Sequence, residues 1–172
     1  KIYHIVARKL LLEGRAYPCF CTEEDLEKAH QKQEEAKENF GYYGKYALHR
    51  DMSPEDAIAH IRAGEKFVLR FRSFGDPSKK TPFKDSVKGN LEVPENDQDF
   101  VLLKSDGIPT YHFAHVVDDH FMRTTTVTRG EEWIPSTPVH LELFKALGWE
   151  HPTYAHLPVI MKLDHGNKRK LS

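Results

Sequence analysis

What most restricts the fold of this chain is its last third, where strand-length runs alternate with helix-length segments. "TTTVTRG" (124–130) reads as a strand, "STPVHLELFKALG" (136–148) as a helix and "HLPVIM" (156–161) as a buried strand. Strands separated by helices of this length predict a parallel sheet with crossover connections. "TYHFAHVVDDHFM" (110–122) precedes them as a short helical segment.

The first hundred residues follow a different grammar. "KIYHIVARKLLLEGRAY" predicts a helix closed by Gly14. "CTEEDLEKAHQKQEEAKENFG" predicts a polar, exposed helix with Thr22 as N-cap, acids in its first turn and Gly41 at its end. "SPEDAIAHIRAGE" repeats the pattern with Ser53, Pro54 and Gly64. The period then changes. "KFVLRFRSF" alternates apolar and basic residues as a strand does, the turn-rich "GDPSKKTP" follows, and weaker strand signals lie at "LEVP" and "DFVLLKSDG". The expected architecture is therefore an α+β module and part of an α/β fold, dividing near residue 106.

Charge and cysteine content narrow the setting. The formal net charge is -1, so bulk electrostatics do not announce a nucleic acid, although a local basic face could still hold one. No apolar run is long enough to span a membrane, and Lys1–Leu12 is amphipathic, unlike a secretion signal. Cys19 and Cys21, one residue apart, make a disulfide framework a poor reading and a cytoplasmic setting the better one. The chain starts without Met, inside helical spacing, and "NKRKLS" stops without a turn or cap, so we read it as a piece of a longer chain.

Four groups of residues carry possible chemistry. In "YHFAHVVDD", His112, His115 and Asp119 have helical spacing that could align metal ligands or merely decorate a helix face. Arg129 ends a strand, where α/β folds place ligands, and its planar fork suits a carboxylate. Cys19 and Cys21 form a C-x-C pair whose one obvious further ligand is His49. Zinc takes four ligands, so the pair is expected to be reduced and unligated, with a Cys19, Cys21, His49 zinc site as the lesser possibility. Lys66, Arg70, Arg72, Lys79 and Lys80 are interleaved with aromatics, which fits a half-buried strand and equally a phosphate-contacting face.

Several dispersed stretches together carry a resemblance. "GRAYPCFCTEEDLE", "DFVLLKSDGIPTYHFAHVVDDHFM", "VTRGEEW", "STPVHLELFKALGW" and "KRKLS" resemble, in order and spacing, the bacterial glutamyl-tRNA synthetases of class I. The resemblance covers nearly the whole chain, without the family's HIGH motif and anticodon-binding domains. It implies an α/β fold: a helix of the catalytic fold at 1–14, an acceptor-stem-binding α+β insertion at 15–110, and the second half of a Rossmann-type nucleotide-binding fold at 111–172. It implies ATP-dependent activation of glutamate and transfer to the 3′ end of tRNA, with ATP, Mg2+, L-glutamate and tRNA as partners and a monomeric state.

The same resemblance distributes the residues. Tyr111, His115 and Arg129 would face glutamate, with Arg129 on its side-chain carboxylate. Many members of the family have Asn where this chain has His115. Trp133 and Ile160 would wall the ATP side. Lys170, Leu171 and Ser172 match the start of the KMSKS-type signature, with Lys170 neutralising charge that moves toward pyrophosphate. Lys66, Arg70, Arg72, Lys79 and Lys80 would contact acceptor phosphates. Two other functions stay open: a shorter paralogue that glutamylates a modified tRNA base, and a non-catalytic tRNA-binding module. A piece of this size lacks half of the ATP cradle and is expected to be inactive alone.

Overall fold

A computed structural model describes residues 1–164 and 167–170. Helix α1 (Ile2–Leu12) leads into strand β1 (Ala16–Cys19) and the polar helix α2 (Glu23–Ala36). Thr22 caps α2 as the sequence predicts, its hydroxyl accepting from the Asp25 amide at 3.2 Å. That helix ends earlier than Gly41, at Lys37 in the left-handed region (φ 56°). Helix α3 (Pro54–Arg62) has the expected Ser53 cap and proline start.

Strands β2 (Val68–Phe71), β3 (Lys80–Asp85), β4 (Gly89–Pro94) and β5 (Val101–Leu103) follow. Then come helix α4 (Tyr111–Met122), strand β6 (Thr126–Gly130), helix α5 (Thr137–Leu147) and strand β7 (Thr153–Leu157), and a terminal hairpin of β8 (Met161–Asp164) and β9 (Asn167–Lys170).

The crossover expected from the last third is present: β6 and β7 pair in parallel, with Arg129 opposite His156, and α5 connects them. Their sheet has the order β4-β3-β7-β6, because the hairpin β3–β4 joins it through parallel pairing of Asp85 with Tyr154. A second, antiparallel sheet has the order β1-β2-β5.

Three features differ from the sequence reading. The strand read at 156–161 is Thr153–Leu157, and Ile160 beyond it is 70% exposed. The β3 strand begins inside what reads as a turn, because its apolar content is little more than Phe83. Residues 167–170, which read as a stretch without turn or cap, form a strand, with Lys170 opposite Met161. Leu171 and Ser172 lie outside the described residues.

The main core is built where α1, α4 and α5 meet the three-stranded sheet. Val6, Ala7 and Leu10 from α1 meet Phe113, Val116 and Val117 from α4 and Leu143, Phe144 and Leu147 from α5. A smaller core of Phe83, Val93, Leu141 and Tyr154 lies against the four-stranded sheet. Helix α5 serves both, and so it carries polar His140 and Glu142 into buried positions. Gly148 ends it in the left-handed region (φ 70°), a conformation that glycine adopts without strain.

Buried Glu142 fastens the two sheets together. Its carboxylate accepts from the Ser73 hydroxyl (2.8 Å), the Phe74 amide (2.7 Å) and the Asn96 side chain (2.7 Å). Gly75 is required there, since a Cβ would stand 2.1 Å from the Asn96 carbonyl oxygen. Among the described residues no helix is long and apolar enough to cross a membrane.

Truncating Leu143, which is fully buried, should cost about 2–5 kcal/mol as Leu143→Ala. Leu12→Ala, at a position 75% exposed, should cost no more than about 0.5 kcal/mol. Urea denaturation of the two variants measures both, and equal costs would contradict this placement of the core.

Candidate functional site

The parallel pair β6–β7 fixes the site. Arg129 and His156 are register partners on adjacent strands, so their side chains stand on the same face of the sheet. The Arg129 Nε–H donates to His156 Nε2 at 2.9 Å, Nη2 donates to the Thr137 hydroxyl at 2.8 Å, and Nη1 meets His140 Nδ1 at 3.1 Å. The guanidinium carbon lies 4.7 Å from the centre of the Tyr154 ring. An arginine side chain never accepts, so both imidazole nitrogens facing it must be unprotonated.

Two directional chains follow from that constraint. His156 carries its proton on Nδ1 and donates it to Asp85 Oδ2 at 2.6 Å. His140 carries its proton on Nε2 and donates to His112 Nδ1 at 3.0 Å. Asp85 and His156 are both buried, as is His140. Burial pushes the Asp85 carboxyl up, but amides of Lys88, Val87 and His156 together with the His156 ring outweigh it and hold the group below the ordinary carboxylate range. Burial drives His140 down to about 2, with His115 and Arg129 adding repulsion. It lowers His112 and His115 as well. Neutral imidazoles therefore surround a charged guanidinium.

The remaining residues expected here are close by. The Tyr111 ring stacks on His115 at 5.9 Å and meets Trp133 at 4.9 Å, and Tyr111 and Trp133 are 51% and 36% exposed. They connect to Arg129 through its partners: the Tyr111 ring meets His140 at 6.2 Å, and the Trp133 carbonyl accepts from the Thr137 hydroxyl at 3.4 Å. His115 sits between Tyr154, whose hydroxyl is 3.4 Å from Nε2, and Asp119, 2.9 Å from Nδ1. His120 stacks flat on Trp149 at 3.7 Å, and Asp118 accepts from Tyr3 at 2.7 Å. Glu131, two residues after Arg129, pairs with Lys88.

The basic set is dispersed. Arg70 is a correction: the alternation places it on an outer face, but it is 8% exposed, lies 3.8 Å over the Tyr42 ring and donates to the Asp99 carbonyl. It reverses because β2 is covered on both faces. Arg72 is engaged by Asp51 at 2.9 Å and by the Arg50 carbonyl. Lys66, Lys79 and Lys80 are exposed; Lys79 and Lys80 have only surface pairs with Asp76 at 3.4 Å and Glu92 at 4.0 Å.

Cys19, Cys21 and His49 do converge, with donor atoms within 4.8 Å of one another. The Tyr42 hydroxyl lies 3.3 and 3.4 Å from the two sulfurs. These are three donors of the kind zinc takes, with a phenol beside them. Hydrogen bonding from Cys21 draws the Cys19 thiol down against the effect of burial.

His140, His156, Asp85 and Thr137 are the site residues that sequence reasoning missed. The last three had no local signal. His140 could have been flagged as a histidine inside the apolar stripe of "PVHLELF".

Arg129 thus stands at the carboxyl ends of two parallel strands, the place where open α/β sheets receive ligands. The profile described as tRNA synthetases class I (E and Q), catalytic domain, matches residues 1–172, and the chain belongs to this family. It is 53% identical over 172 residues to the glutamate–tRNA ligase of Clostridium beijerinckii, covering 100% of this chain and 31% of that protein. It is 52% identical over 172 residues to that of Acetivibrio thermocellus, covering 100% of this chain and 32% of that protein. A crystal structure of a glutamate tRNA ligase from Elizabethkingia meningosepticum in complex with its amino acid superposes with a TM-score of 0.85. It has 34% identity and covers 99% of this chain and 34% of that one. The chain thus spans about a third of the length of these relatives.

The lowered histidines set a pH dependence. Each is a base whose folded-state pKa lies below its unfolded value of 6.5, so the unfolded chain takes up protons that the folded chain refuses. Stability is full above that value and falls as the pH drops through the window below it. His140 alone should cost roughly 1 kcal/mol between about pH 7 and about pH 5.5. Urea midpoints across that window should shift less in His140→Gln, and an unchanged shift would contradict a neutral His140.

Proposed function

We propose that this chain supplies the glutamate anchor and the acceptor-binding insertion of a glutamate–tRNA ligase. The reaction is activation of glutamate by ATP with Mg2+, followed by transfer to the tRNA 3′ end. The observation that carries the reading is Arg129 with three of its N–H groups spent on His156, His140 and Thr137. Of the five donors of a guanidinium, two remain, one on each terminal nitrogen, and these suit the two oxygens of a carboxylate. A neutral amide would leave one N–H facing an N–H, so glutamine is disfavoured against glutamate.

Tyr111 and His115 shape the side of the amino acid, and Trp133 and Ile160 the side of the nucleotide. Lys170, at the end of the basic hairpin, offers positive charge to the leaving pyrophosphate. Residues 15–110 serve the acceptor end. Exposed Lys66, Lys79 and Lys80 provide phosphate contacts there, because the surface pairs of Lys79 and Lys80 are weak enough to be exchanged for phosphate.

ATP–pyrophosphate exchange by the full natural protein, with tRNA present, tests the anchor. Glutamate should support exchange and glutamine should not, and Arg129→Ala should lose about a hundredfold or more in kcat/KM for glutamate. Exchange that survives Arg129→Ala would overturn the reading. A second test concerns the basic face. Replacing both Lys79 and Lys80 by Ala should weaken tRNA binding and lower its salt dependence by about two charges. An unchanged salt slope would remove that face from the tRNA contact.

A further inference from the structure

The bond from Arg129 Nε ends on a nitrogen that exists in two states. An imidazole with its proton on Nδ1 accepts at Nε2, and one with the opposite tautomer presents an N–H there instead. His156 is fully buried and donates its Nδ1 proton to Asp85, a residue 71 positions away on the β3–β4 hairpin. Asp85 is itself held in place. Its Oδ1 accepts from the Val87 and Lys88 amides, both at 2.9 Å, and its Oδ2 accepts from the His156 amide at 3.1 Å as well as from the ring.

We propose that Asp85 and His156 are positioning residues for the substrate-binding arginine. Asp85 fixes the proton of His156 on Nδ1, and the bare Nε2 then pins Arg129 by its Nε–H, so that the unspent N–H groups on its terminal nitrogens meet an incoming carboxylate. This rests on the reading of Arg129 as the carboxylate anchor. Because Asp85 on this hairpin acts on the anchor through His156, the geometry of the amino-acid pocket depends on a strand from the preceding part of the chain.

The full natural enzyme tests this with Asp85→Asn. Three backbone N–H groups reach Oδ1, those of Val87, Lys88 and, at 3.3 Å, His156, so the oxygen of Asn must take that place and its NH2 must face His156 Nδ1. The proton of His156 is thereby forced onto Nε2, against the Nε–H of Arg129. In protein labelled with 15N-histidine, wild type should show His156 protonated on Nδ1 and Asp85→Asn should show it protonated on Nε2. The KM for glutamate should rise about tenfold or more in the variant while the KM for ATP is unchanged. His156→Gln retains an acceptor oxygen for Arg129 and should raise the KM less than His156→Leu does. Adding Asp85→Asn to His156→Gln should give no further rise, since the link is already cut.

Wild-type His156 protonated on Nε2, or a switched tautomer with an unchanged KM for glutamate, would overturn the proposal. If Asp85→Asn does not fold, His156→Gln against His156→Leu decides, and equal KM values would overturn it. Arg129→Ala measured alongside separates the two readings. A normal KM in Arg129→Ala removes the anchor itself, whereas a raised KM there with a normal KM in Asp85→Asn removes only the support.

Discussion

A charged guanidinium among buried histidines is stable only if every imidazole facing it is neutral and turned to accept. That requirement organises this molecule. Arg129 is half-buried, and three fixed groups take one N–H from each of its nitrogens. Lysine could not replace it, because a single ammonium cannot reach His156, His140 and Thr137 and still present a flat pair of donors. The cost of burying polar groups here is offset by continuous hydrogen bonding: Arg129 donates to His156 and His156 to Asp85, which also accepts from backbone amides, while on the other side Arg129 donates to His140 and His140 to His112.

The surrounding fold serves that closure. Parallel pairing of β6 and β7 makes Arg129 and His156 register partners, and parallel pairing of β3 with β7 brings Asp85 to the same place. Helix α5 carries His140 toward Arg129 and Glu142 toward the loop after β2, so one helix holds both sides of the structure. Glu142 resembles Asp85 in kind: each is a buried carboxylate that collects backbone amides, Glu142 from the distant Phe74 and Gly75, Asp85 from its own turn at Val87 and Lys88 and from the distant His156. Burial pushes the carboxyl of Glu142 up despite those partners, whereas the amides and His156 hold that of Asp85 down.

Much of this was legible in the sequence where the signal was local. The helix starts at Thr22 and Ser53, the crossover from "TVTRG" to "HLP" and the placing of Arg129 at a strand end all rest on neighbours a few residues apart. Strand β3 was not legible, because its stability comes from pairing with β4 and β7 rather than from its own composition. Arg70 misled for a related reason. Period-two alternation predicts an outer face, but it cannot foresee a second layer, and Tyr42 with the Asp99 carbonyl covers that face. The supports of Arg129 come from 8, 11 and 27 residues away in the chain, and Asp85 lies 71 from His156. No motif of a few residues contains them.

The most direct measurement is a crystal structure of the full natural protein with glutamate bound. The account predicts that the side-chain carboxylate accepts from both terminal nitrogens of Arg129 while the Nε–H stays on His156 and the His156 proton stays toward Asp85. A carboxylate bound elsewhere, or an Arg129 that leaves His156 to reach it, would contradict the account.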